Sequence, residues 1–167
     1  MARLMALDVG EARIGVAVCD ATGFLASPYT TLHVTRDEGQ TWVAIQHLIE
    51  ETEAQGLIVG LPISMDGQIH GQGQWVQAFA ERLKPHITIP LTFWDERLST
   101  VEARRLLAQR DFPGEDEGEG RERQRRTTRR RTQSKRRQRG QEIDAYAAAV
   151  ILQDYLDTLG RKTEGVI

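Results

Sequence analysis

Four acids stand where a carboxylate is costly or conspicuous. Asp8 lies inside the apolar run RLMALDV, residues 3–9, and Gly10 follows, where a bare backbone lets a ligand approach closely. An ionised carboxylate in such a strand needs a partner or a cation. Asp95 and Glu96 end a second apolar stretch, IPLTFW. Asp144 opens the run EIDAYAAAVILQDYLDTL, and at helical spacing it shares a face with Ala147, Ala148, Ile151 and Leu152. If the two strands run parallel they end at one edge of a sheet, and three or four acids meet there. Crowded like charges repel, and a divalent cation is the usual remedy. Oxygen-only donors suit Mg²⁺ or Mn²⁺. Their joint use with phosphates is two-metal phosphodiester hydrolysis, with ions about 3.5–4 Å apart.

The elements that must hold these residues follow from periodicity. RLMALDV reads as a central strand buried on both faces. RIGVAVCD (13–20) and FLASPYTTLHV (24–34) read as the next two strands of an antiparallel meander, with Pro28 favouring an edge position. Trp42, Ile45, Leu48 and Ile49 then fall at helical spacing, as do Val76, Phe79, Ala80 and Leu83, with the short buried strand LIVG (57–60) between them. IPLTFW (89–94) is a fifth strand. Ser99 and Glu102 form a capping box that opens a helix to about Arg110. The last helix is expected over 142–159. The result is an α/β chain of 167 residues, expected to be one domain, with a mobile charged loop at about 112–140.

That loop concentrates the charge. The chain has 22 Lys and Arg against 24 Asp and Glu, a formal charge of -2. Residues 121–139, RERQRRTTRRRTQSKRRQR, hold eleven bases and one acid, a local +10 that leaves the remainder at -12. Such asymmetry marks a nucleic-acid contact or a solvated tail. The bases proposed to meet phosphates are Arg129, Arg130, Arg131, Lys135, Arg136 and Arg137. No apolar run approaches the roughly 20 residues that span a bilayer, MARLMALDVG lacks a signal-peptide layout, and Cys19 is alone. A cytoplasmic setting with no membrane partner is the expectation.

LDVGEARIGVAVCD, IVGLPISMDG, WDERLSTVEA and IDAYAAAVIL, in that order, resemble the YqgF/RuvX family. The resemblance covers about residues 3–110 and 135–158. It implies a ribonuclease H-like fold: a five-stranded mixed sheet, a three-strand antiparallel meander plus two parallel strands, flanked by helices. It also implies a cytoplasmic nuclease that processes the 5′ end of precursor 16S ribosomal RNA, or one that cuts branched DNA as Holliday-junction resolvases do. Such resolvases act as dimers, which makes a homodimer possible. Carried over by motif, the catalytic and metal-binding acids are Asp8, Glu96 and Asp144. Ala12 departs from the family pattern, which has a basic residue before Arg13, and so does the long charged loop.

Other readings of the same residues stand beside these. Asp8 also reads as a turn-entry aspartate and Asp144 as a first-turn helix acid favourable to the dipole. Asp95 competes with Glu96, which only the family motif favours. Asp66, before Gly67, reads as a turn residue. Arg13 and Arg97 either touch a phosphate or pair with an acid. His33, His47, His70 and His86 have no metal-ligand spacing, and Trp42 and Trp75 read as core. Two other function classes remain: a kinase-like ATP-binding domain, on Asp8-Val-Gly and Asp20, and a ribosomal-RNA-binding module without catalysis.

Overall fold

Period-two alternation sorts the strand residues onto two faces of one sheet. The structure, a computed structural model, describes residues 2–96 and 128–164, with side chains described for 2–96 and 140–162. The strands are β1 (Leu4–Val9), β2 (Arg13–Cys19), β3 (Ala26–His33), β4 (Gly56–Leu61) and β5 (Leu91–Asp95). Their order in the sheet is β3-β2-β1-β4-β5. β1–β2 and β2–β3 are antiparallel, whereas β1–β4 and β4–β5 are parallel. The expected meander and the expected common end of β1 and β5 are therefore both present. Pro28 lies on the edge strand, where its missing N–H costs no ladder bond, beside a register shift at Val16/Ala17.

One face carries Met5, Leu7 and Val9 of β1, with Ile14 and Val16 of β2. Against them pack Trp42, Ile45 and Leu48 of α1 (Glu38–Thr52) and Val76, Phe79 and Leu83 of α2 (Gly71–Leu83). These are the two helical stripes legible in the sequence. Trp42 is buried, and Trp75 packs against the same cluster. α1 starts at Glu38 because the Asp37 carboxylate accepts the Gly39 N–H at 3.0 Å and caps the helix.

The other face carries small side chains, Ala6, Ala17 and Cys19, together with Ile58. α3 (Thr128–Glu164) lies on it through Ala148, Ala149, Ile151, Leu152 and Leu156. Small residues on both surfaces bring the helix down almost to backbone contact. A Cβ built on Gly15 would stand 1.8 Å from the Asp144 carbonyl oxygen. Trp94, also on this face, donates from Nε1 to Asp154 at 2.8 Å.

α3 begins fourteen residues earlier than the periodicity predicts, at Thr128 and not 142. Residues 128–140, expected as part of a mobile loop, are helical. The apolar pattern could not reveal this because that segment packs no apolar stripe. Its Arg, Lys and Gln residues are good helix formers, with neither Gly nor Pro before Gly140. Asp144 is accordingly a mid-helix residue, so its reading as a first-turn acid does not hold. The capping-box helix, the acidic stretch 113–120, Arg97 and residues 121–127 of the basic run lie outside the described residues.

Candidate active site

Asp8 alternates with Met5, Leu7 and Val9, so it shares a face with Leu4 and Ala6, the face that α3 covers. Its partner across the ladder is Gly15. The Asp144 backbone rests on that glycine. The strand that carries Asp8 and the helix that carries Asp144 thus come together at Gly15, which has no side chain to hold the helix away.

Glu96 follows β5 immediately. A Cβ on Gly60 would lie 2.5 Å from Glu96 Oε1 and 2.5 Å from Ile151 Cδ1. Ile151 belongs to α3, so the Glu96 carboxylate sits on the α3 face of β4. Asp95 goes the other way. It pairs in register with Leu61, whose side chain belongs to the α1/α2 cluster. The pleat separates the neighbours that the sequence alone left in competition. Asp8, Glu96 and Asp144 share a face and the C-terminal end of β1, β4 and β5; Asp95 does not share that face.

Arg13 reaches the same face from the start of β2. Its Nε stands 2.7 Å from Asp144 Oδ2, with 41% and 25% of the two side chains exposed. The contact is an ion pair without an aligned N–H, and Oδ2 is a buried oxygen with no hydrogen-bond partner. A Cβ on Gly140, one helical turn before Asp144, would meet Arg13 Nη1 at 2.8 Å. Of the two expectations for Arg13, pairing with an acid is the one the described geometry contains. Arg129, Arg130, Arg131, Lys135, Arg136 and Arg137 occupy the first three turns of α3.

Asp66 is a turn residue: Oδ1 accepts from the Gln68 N–H at 2.9 Å, and Oδ2 lies 2.8 Å from His70 Nε2. Asp20 closes the turn after β2, accepting from the Thr22 hydroxyl and from the amides of Phe24 at 3.0 Å and Leu25 at 3.1 Å. Asp20 follows Cys19, at the end of the sheet opposite Asp8, which removes the pairing on which the kinase-like reading rested.

A divalent cation asks for hard oxygen donors, and these are what the face offers. Asp144 Oδ2, buried and without a hydrogen bond, is such a donor and is already ion-paired with Arg13. Among the described residues, no three His, Cys, Asp or Glu side chains close on one point tightly enough to hold a metal. The carboxylates line one face without enclosing a site. The glycines that seat them, Gly15, Gly60 and Gly140, were not singled out from the sequence. The signal of Gly15 and Gly60 was a glycine inside an otherwise apolar strand, RIGVAVC or LIVGL, which marks close approach of another chain segment.

The sheet order and the flanking helices define a ribonuclease H-like fold. Thermus RuvC, solved as "T. thermophilus RuvC in complex with Holliday junction substrate", shares it, with a TM-score of 0.53 at 10% identity over 95% of this chain and 96% of that one. A family model described as "RuvX: Holliday junction resolvase" matches residues 2–158, and the chain belongs to that family. A relative from Roseiflexus sp. (strain RS-1) is 40% identical over 156 residues, 93% of this chain and 94% of its own. One from Thermoanaerobacter pseudethanolicus is 38% identical over 160 residues, 96% and 99% of the two chains. Both are named, provisionally, as pre-16S rRNA nucleases.

Proposed function

We propose that this protein is a divalent-metal-dependent nuclease that hydrolyses phosphodiester bonds at the 5′ end of precursor 16S ribosomal RNA. The observation that carries the reading is the gathering of Asp8, Glu96 and Asp144 on the α3 face at one end of the sheet. The names of the relatives supply the substrate. In this reading the three carboxylates hold Mg²⁺ or Mn²⁺. Held by Asp8, Glu96 and Asp144, a cation would supply Lewis-acid polarisation of the phosphate and a more acidic water. Asp8, in register with Gly15, and Asp144, on the helix that rests on Gly15, supply the negative field that would draw the ion in. Glu96, seated over Gly60, completes the donor set from the β5 side.

The basic turns of α3 serve as the phosphate contact, together with Arg97. α3 passes His33 at Gln141 and Ala26 at Gln153, so it runs along β3 from that strand's end to its start. Its first twelve residues therefore lead about 18 Å beyond the sheet, past the end that carries the acids. Phosphate contacts there position a strand without reading its sequence. Cytoplasmic location follows from the same reading, and no described helix is long and apolar enough to cross a membrane.

A second reading, cutting of branched DNA, is favoured by the family's description as a Holliday junction resolvase. It would call for a homodimer, so that two strands are cut together. The test is incubation of purified protein with Mg²⁺ or Mn²⁺ and a panel of 16S precursor, single-stranded RNA and four-way junctions, beside Asp8→Asn. Cutting confined to the precursor and lost in Asp8→Asn is the expected result. Junction cutting alone selects the second reading. RNA binding without cutting in any metal makes the protein a non-catalytic ribosomal-RNA module and removes the first.

A further inference from the structure

The end of the sheet opposite the carboxylates carries a projecting ring and a hollow side by side. Phe24, in the turn between β2 and β3, is 74% exposed, and Leu25 beside it is 53% exposed. This turn is held from two sides. Asp20 Oδ1 accepts from the Phe24 and Leu25 amides at 3.0 and 3.1 Å. From α3, Gln153 Nε2 donates to the Phe24 carbonyl at 2.9 Å, and Gln153 Oε1 accepts from the Ala26 amide at 2.9 Å. The ring is thus presented to solvent on a fixed support, and a pre-ordered aromatic is the side chain that most often anchors an interface. Beside it an open cavity of about 330 Å³ lies between the start of β1 and the end of α3. Leu4, Gly23, Leu156, Leu159 and Phe24 itself line it. An apolar patch with a polar rim marks a surface of contact with another molecule.

The rim selects the partner. Asp157 and Arg161 both line the cavity, one helical turn apart on α3, and both are exposed. Among the described residues neither takes part in an ion pair. A second copy of the chain, turned about a two-fold axis across this stretch of α3, sets Asp157 against Arg161 of that copy, and Arg161 against its Asp157. The same rotation brings each Phe24 to the other copy's cavity, because ring and cavity adjoin. Gly160 leaves room for the approach. The gap at Gly140 is filled by Arg13, whereas a Cβ on Gly160 would meet nothing within 4 Å. Glycine is a poor helix former, and here its missing side chain lets a second helix come close. We infer that the protein forms a two-fold homodimer through this end, with Phe24 as the reciprocal anchor and Asp157–Arg161 pairs at the rim. The carboxylate-bearing ends then point away from each other, about 40 Å apart by the length of two such strands end to end, each of 6 residues. Each copy acts on its own strand, so this is not the dimer that paired cutting of a junction calls for. The inference stands on surface geometry and does not depend on the proposed metal site.

The experiment is analytical ultracentrifugation of the full chain over a range of concentrations at low salt, without metal or nucleic acid. It compares the parent with Phe24→Glu, with Arg161→Asp, and with the exchange Asp157→Arg plus Arg161→Asp. A small interface should give the parent a dimer dissociation constant on the order of 10 μM. Phe24→Glu should weaken the dimer about 30-fold. Its melting midpoint should match the parent's, because the ring it replaces is exposed. Arg161→Asp places like charges across the two-fold and should weaken the dimer about tenfold, and the double exchange should bring it back to within about threefold of the parent. Recovery in the double exchange separates a two-fold contact from a defect in folding. A parent that stays monomeric up to about 500 μM overturns the inference. So does a dimer that neither Phe24→Glu nor Arg161→Asp weakens, since its interface then lies elsewhere.

Discussion

The Glu96 carboxylate lies where a side chain on Gly60 would be, with Oε1 2.5 Å from the site of that missing Cβ. A glycine near the end of a fully buried strand is thus the seat of a charged group. Gly60→Ala forces Glu96 and Ile151 to shift together. Both are ends of flexible side chains, so the fold should survive at a cost of about 1–3 kcal/mol. Turnover should fall by about 100-fold, because a displacement of one ångström at a reacting group has that effect. Thermal melts and cleavage rates on one preparation separate the two; unaltered turnover would take Glu96 out of the chemistry.

Asp95 and Glu96 should respond unequally to the same change. Glu96→Gln removes a charge from the α3 face, whereas Asp95→Asn acts on the opposite face, beside Leu61. Single-turnover cleavage should drop steeply in the first and little in the second. Equal, mild losses would mean that neither carboxylate binds the metal.

Gly15→Ala tests the seat of α3. The new Cβ would fall 1.8 Å from a carbonyl oxygen, a backbone atom that cannot rotate away. The helix must lift from β2, and destabilisation of about 3 kcal/mol or more is expected in chemical denaturation. A melting midpoint equal to that of the parent would show that α3 is not held where the geometry has it.

Asp20 gives a pH signature at the far end of the sheet. The Thr22 hydroxyl, then the Leu25 amide, hold its carboxyl below the ordinary value of 3.8. The fold therefore binds this proton less readily than the unfolded chain does. The stabilisation is full above the unfolded value and is lost as pH falls through the lower folded value. A carbon-detected NMR titration should place the Asp20 midpoint below 3.8 in the parent and closer to it in Thr22→Ala. A midpoint at or above the ordinary value in the parent contradicts the hydrogen-bonded turn.

Six bases on the first turns of α3 are predicted to act on phosphates as charges. Replacing Arg129, Arg130, Arg131, Lys135, Arg136 and Arg137 with Gln keeps helix propensity and removes the charge. Each lost phosphate contact flattens the slope of log affinity against log salt by about 0.7 for single-stranded RNA, so a change of roughly 2–4 is expected. Binding at low salt should weaken for all sequences alike. A slope equal to the parent's would leave the run as a solvated surface.

Much of this architecture could be read from the chain. Val, Leu and Ile in alternation set the strands, and the stripes of Trp42, Ile45 and Leu48 and of Val76, Phe79 and Leu83 set two helices, because each element buries one side. Asp8 was conspicuous because a charge inside RLMALDV has no cheap explanation. Asp95 and Glu96 could not be separated by pattern, since which neighbour faces α3 depends on the exact register of β5 on β4. The start of α3 was hidden for the opposite reason. A helix that buries nothing leaves no hydrophobic period, and only its propensity remains to reveal it.

The unbroken run of α3 from Thr128 to Glu164 has a metric consequence. Along a helix, separation is fixed at about 1.5 Å per residue, which puts Arg137 about 10 Å and Arg129 about 22 Å ahead of Asp144 along the axis. A flexible arm would let the grip wander relative to the cut. A helical one works as a ruler, so that any backbone grasped at its far end meets the carboxylates at a set offset. Inserting a full turn between Arg137 and Gly140 would alter that offset and leave every contact chemically intact.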